Sequence, residues 1–246
     1  MNIQGGHSAI YENKGGPSLA AFGNVSDKAG LLTQILSFNH YPAYYIHDSW
    51  IEILTKETKI QGWLDIRYCG ESFSRFILEK LDLTDSHDYD FSASEKRLAL
   101  LPPQDLEKLV LYCGIAARHQ VIGSVISRPA QHNIRSLISD QGYSFAVKSA
   151  PYLFPQGVKF GTDLKLESDC SNILEILYYP GSLCLGLILG HCSAAFTKRL
   201  LLKLPSDCKA GFDSAKMFEE QGHERKLAKI IVQKLLREVF PQWNLL

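Results

Sequence analysis

Apolar positions recur at helical spacing along most of this chain, and no run of alternating residues bounded by hairpin dipeptides interrupts them. Residues 104–127, QDLEKLVLYCGIAARHQVIGSVIS, put Leu106, Leu109, Val110, Cys113, Ala117, Val121, Ser124 and Val125 on one stripe behind Pro102 and Pro103. That arrangement predicts a long amphipathic helix opened by proline. Within residues 60–81, Phe73, Phe76, Ile77 and Leu81 keep the same period behind a break at Gly70. Residues 215–239 place Leu227, Ile230, Ile231, Leu235 and Val239 on one face. Lys234 and Arg237 fall in the final turn of that helix, where its dipole favours cations, and Pro241 ends it.

The remaining segments fill in around these. From Ala29 the chain predicts a short helix, a turn near Asn39 and Pro42, and a second buried segment. Ser92 and Glu95 have capping-box spacing for a short helix before Pro102. AQHNIRSLISD predicts a helix closed by Gly142 as a left-handed residue. Residues 171–179 and 182–197 predict two strongly apolar central helices separated by Pro180 and Gly181. Polar loops are expected at 84–91 and 156–172, the first as an exposed acidic connection. Residues 1–28, with two Gly-Gly pairs, a proline and no apolar period, predict a flexible leader. The expected fold is therefore mainly α: one compact multi-helix domain over 29–246, with at most a short extended segment near 199–204.

Composition narrows the function. The 246 residues carry 26 basic and 26 acidic side chains, so the global positive field that drives non-specific nucleic-acid binding is missing. Residues 182–196 fall short of the roughly 20 apolar residues that cross a bilayer. The start of the chain lacks the basic and apolar regions of a signal peptide, and the six cysteines form no CxxC pair. Reduced, buried thiols in a cytoplasmic protein are expected.

No catalytic pattern emerges. His223 and Glu224 begin like a zinc-protease helix, but Leu227 occupies the place of the second histidine. Asp85, Asp88 and Asp90 suggest a calcium loop, yet the required turn glycine is missing. The eight histidines show no ligand spacing on a shared helical face, and His191 and Cys192, as helix neighbours, point apart. Phosphate-loop, dinucleotide and nucleophile-elbow motifs do not occur. No cofactor, metal or catalytic residue is assigned.

FTKRLLLKLP, residues 196–205, stands apart. Read as extended chain, it puts Arg199, Leu201 and Lys203 on one face and Leu200, Leu202 and Leu204 on the other. Either the basic stems merely cover apolar surface with their heads in water, or Lys198, Arg199 and Lys203 form a docking edge for an acidic partner.

Four stretches taken together carry a resemblance: NHYPAYYIHDSW (39–50), LALLPPQDLEKLVLYCGIAARHQVI (98–122), TKRLLLKLP (197–205) and LAKIIVQKLLREVFP (227–241). In this order they resemble the YscK/SctK family of bacterial type III secretion proteins, from about Ser37 onward. The longer leader and the loops at 84–91 and 156–172 look like variable insertions. The resemblance implies a non-enzymatic cytoplasmic adaptor of the sorting platform, peripheral to the inner membrane. Such an adaptor would bridge the cytoplasmic domain of the inner-membrane ring protein and the pod-forming platform protein. Two other classes stay open on the residues alone: a small helical enzyme with a pocket around His119, His191 and the cysteines, and a helical module that binds nucleic acid.

Overall fold

The computed structural model describes residues 28–56, 66–154, 166–218 and 222–241. Its helices run α1 Lys28–His40, α2 Asp48–Thr55, α3 Ile66–Lys80, α4 Ser94–Arg97, α5 Pro103–Gly123, α6 Arg128–Ser144, α7 Ala150–Leu153, α8 Ile173–Leu189, α9 Ala194–Leu201, α10 Lys209–Ala215 and α11 Gly222–Glu238. Among the described residues there is no β-strand. The mainly α expectation holds; the leader, apart from Lys28, lies outside the described residues, as does most of the 156–172 loop.

The centre of the body is α8, a single helix rather than the two expected. Pro180 sits inside it, a substitution for a hydrogen-bonding residue that costs about 3 kcal/mol in a helix interior. Burial outweighs that cost: Ile173, Ile176, Leu177, Leu183, Leu185, Leu187, Ile188 and Leu189 are all buried, each gaining roughly 1.5–3 kcal/mol over exposure. The small residues flanking the proline serve contact rather than a break. A Cβ on Gly181 would overlap the backbone carbonyl of Val110, and a Cβ on Gly114 would overlap that of Leu177, so α5 and α8 cross backbone against backbone. On another side of α8, Gly211 of α10 leaves room for Ser182 and Leu183, and Gly186 approaches Ala215 and Phe212.

Several expected boundaries move for similar reasons. Gly70 does not break α3; it lies inside the helix, where a Cβ would stand 2.6 Å from the Tyr44 hydroxyl oxygen. Gly142 lies within α6, packed against Ile115 and Ile138, and the positive φ of that region belongs to Ser139 at 68°. The expected capping box is not made: α4 begins after Ala93, and Glu95 instead meets Lys229 of α11 at 2.6 Å. The face of α11 is also rotated. It buries Ala228, Ile231, Val232, Leu235 and Leu236, while Ile230 is exposed.

Candidate functional site at the junction of three motifs

Residues 194–201 form α9 and not an extended edge. The Ser193 Oγ accepts the Phe196 N–H at 3.1 Å, which caps the helix; Phe196, Arg199 and Leu200 are buried at i, i+3, i+4, and every residue from Arg199 to Pro205 is buried. The leucine run fits either period, and the cap selects the helical one. The expected basic ledge is corrected accordingly. Arg199 is the largest fully buried side chain and Lys203 is buried beside it; only Lys198 remains exposed, with its Nζ donating to the Leu81 carbonyl at 3.1 Å.

Each buried cation is spent on backbone. The Arg199 Nε donates to the Asn39 carbonyl at 3.2 Å, Nη2 to the Leu83 carbonyl at 2.8 Å, and Nη1 to the Ser86 carbonyl. Charge-assisted donors of this kind satisfy carbonyls that would otherwise be buried without partners. The Lys203 Nζ donates to the carbonyls of Ala99 and Leu101 and lies 5.7 Å and 5.1 Å from the ring centroids of Phe38 and Tyr45. Burial without a carboxylate pulls its ammonium down to about 7. The same burial pushes the Tyr45 phenol up, and its hydroxyl donates to the Phe38 carbonyl at 2.7 Å.

The end of α9 also receives the start of α2. The His47 N–H donates to the Leu202 carbonyl at 2.7 Å, and Trp50 Nε1 reaches the carbonyls of Leu201 and Leu204 at 3.0 and 2.9 Å. The His47 Nδ1 accepts from the Ser49 N–H and so caps α2. Three of the four sequence stretches, 39–50, 98–122 and 197–205, thus meet at one junction.

Above the junction lies the acidic loop, which is anchored rather than loose. The Asn39 side chain donates to the Asp88 carbonyl and accepts the Asp88 N–H, both at 2.8 Å, and Phe91 is buried. The Asp88 carboxylate pairs with Lys96 at 2.9 Å. His40 stacks on His87 with centroids 4.5 Å apart, and its Nε2 lies 2.8 Å from the Tyr89 hydroxyl. Desolvation first, and then His87 and Arg199, hold the His40 imidazole below its ordinary value.

The residues of a possible catalytic pocket are not brought together. His119 is buried on α5 with its Nδ1 3.1 Å from the Ala116 carbonyl, so that nitrogen carries the proton. His191 and Cys192 do approach, at 3.8 Å, because they lie in the turn after α8 and not on a helix. Burial pushes the Cys192 thiol up to about 11, which leaves it protonated and a poor nucleophile. A surface pocket between α4, α8 and α11 is lined by Glu95, Leu98, Ile188, Lys229, Val232 and Leu236, together with Ser94 and Gln233, without a histidine or cysteine. Among the described residues no three metal-ligating side chains converge, and no helix is long and apolar enough to cross a membrane.

A search of curated proteins returned no match, and a search of solved structures returned none either. The family model for YOP proteins translocation protein K matches residues 32–246, a span that takes in the whole junction and the helices packed around it. The chain belongs to the YscK family of type III secretion components.

Proposed function

We propose that the chain is a non-enzymatic cytoplasmic adaptor of the type III secretion sorting platform, joining the cytoplasmic domain of the inner-membrane ring protein to the pod-forming platform protein. Family membership supports the secretion role. One structural observation favours an adaptor: the buried polar side chains at its centre, Arg199, Lys203 and Asn39, are committed to backbone groups of neighbouring segments. Groups committed in this way hold a shape, and they are not free to bind substrate or move protons. The outside of the body is then the working part. Of the three basic residues expected to meet a partner, Lys198 has the exposure to do so.

Tagged protein purified from its native cell should retain the ring protein and the pod protein together, and deletion should abolish secretion. Purification that retains neither, from cells in which the apparatus is assembled, rejects the bridge. Alanine at His119 and His191 should change stability or assembly only; loss of a turnover would mark an enzyme.

A further inference from the structure

Five aromatic side chains run as one connected strip over the outside of the junction. Tyr89 and His87 stack with centroids 5.8 Å apart, His87 stacks on His40 at 4.5 Å, His40 lies 6.4 Å from Tyr41, and Tyr41 meets Tyr44 edge-on at 6.1 Å. Tyr44 in turn rests on Gly70 of α3. Three of these tyrosines are exposed, Tyr41 at 39%, Tyr44 at 43% and Tyr89 at 52%. Rings so exposed on a mobile loop would carry little information. Here they stand on backbone fixed from beneath, by Arg199 on Leu83 and Ser86, by Asn39 on Asp88, and by the Ser74 hydroxyl on the Ala43 N–H. A surface ordered before it meets a partner loses less entropy on binding, and tyrosine is enriched where binding energy concentrates.

The charge beside the strip selects the partner. Residues 82–91 carry Asp82, Asp85, Asp88 and Asp90 and no lysine or arginine. Lys96 neutralises Asp88 and the Lys198 Nζ sits on the Leu81 carbonyl beside Asp82, whereas Asp85 and Asp90 carry exposed carboxylates on the loop that holds Tyr89. Electron-rich ring faces next to carboxylates attract ammonium and guanidinium groups through cation–π and Coulomb terms of the same sign, and they disfavour an acidic segment. We infer that the Tyr41–Tyr44–Tyr89 strip with its aspartate rim is a docking surface for a lysine- or arginine-bearing segment of a partner protein. This deepens the adaptor reading and rests on it, since it assigns one of the two faces a bridge requires.

Photo-cross-linking tests it in the full chain within its native cell. Benzoylphenylalanine placed singly at Tyr41, Tyr44 and Tyr89 should give a protein adduct whose cross-linked peptide, read by tandem mass spectrometry, contains lysine or arginine beside the attachment point. Asp85→Lys, at an exposed position, should lower the Tyr41 adduct about threefold while the melting temperature stays unchanged. No adduct at any of the three positions, an adduct to an acidic or purely apolar peptide or to lipid, or an adduct indifferent to charge reversal overturns the inference. The adaptor reading has its own readout. If tagged Tyr41→Ala/Tyr89→Ala protein still retains the ring and pod proteins, the strip is excluded and the bridge stands.

Discussion

Arg199 and Asn39 are joined twice over in effect: the Arg199 Nε donates to the Asn39 backbone carbonyl, and the Asn39 side-chain amide closes both backbone groups of Asp88 in the loop that Arg199 also holds. Residues 160 positions apart in the chain therefore fix one surface loop from the inside. Replacing Arg199 by methionine removes the donor from three carbonyls and should destabilise the protein by about 3–5 kcal/mol in urea unfolding. Lysine at this position presents a point charge instead of a planar fork and should restore less than half of that loss. Amide exchange in the Arg199→Lys variant should quicken first at residues 83–88. Unchanged protection there would show that Arg199 does not hold the loop.

The crossing of α5 and α8 leaves no space for a methyl group at either glycine. Gly181→Ala and Gly114→Ala should each cost about 3 kcal/mol, because the added carbon meets backbone and the helices must separate. Gly123, at the end of α5, has nothing within 4 Å of a Cβ, and Gly123→Ala should gain about 0.5 kcal/mol from helix propensity. Thermal melts of the three variants check the order. Equal melting temperatures for Gly181→Ala and Gly123→Ala would contradict the packing described.

Lys203 gives the stability a pH dependence of definite sign. Its folded value of about 7 lies below its ordinary 10.5, so between these values the unfolded chain binds more protons and stability rises with pH. The hydrogen bond with Cys113, together with burial, raises the Cys184 thiol and burial raises the Cys208 thiol, which acts on stability in the other direction, and subtracting a Lys203→Met variant cancels their contribution. The stability difference, wild type minus variant, should grow steadily from pH 7 to pH 10. A difference that stays flat over that range would leave the Lys203 ammonium unperturbed.

The Glu95–Lys229 pair links α4 to α11 at the surface. Its hydrogen bond from Lys229 holds the Glu95 carboxyl down to about 2, so the stabilisation is present above the ordinary value of 4.5 and is lost as pH falls from there toward 2. Lys229 is half exposed, with 51% of its side chain accessible, and solvent screening limits the pair to less than about 1 kcal/mol. Glu95→Gln should therefore lower neutral stability by up to that amount, leave stability near pH 2 nearly unchanged, and so flatten the acid limb of the urea-midpoint profile. A loss of several kcal/mol at pH 7 would mean the pair is not a surface one.

Helix existence was legible wherever an apolar stripe ran for several turns. Leu106, Leu109, Val110 and Cys113 of α5 are buried as their period predicts, as are Phe73 and Ile77 of α3. The candidate site was legible only as a set of sequence stretches. FTKRLLLKLP fits two periods, since its leucines lie both at every second position and at helical offsets, and the choice rested on Ser193 just outside it. The aromatic strip was hidden because Tyr41, Tyr44, His87 and Tyr89 come from two segments whose proximity depends on the buried Arg199 and Asn39.

The sequence by itself determined a neutral, mainly helical chain of the YscK family, because apolar period and the order of its motifs are local properties that any single chain displays. Tertiary structure decided what lies inside. Pro180 stays in one helix because burial of the leucines around it exceeds the cost of a missing N–H, and Gly181 reads as a break until a second backbone occupies the space a Cβ would fill. Arg199 and Lys203 look like surface charges until five backbone carbonyls from distant segments surround their donors. Whether a basic side chain faces water or the core is settled by the acceptors that folding brings to it, and those acceptors are not written next to it in the chain.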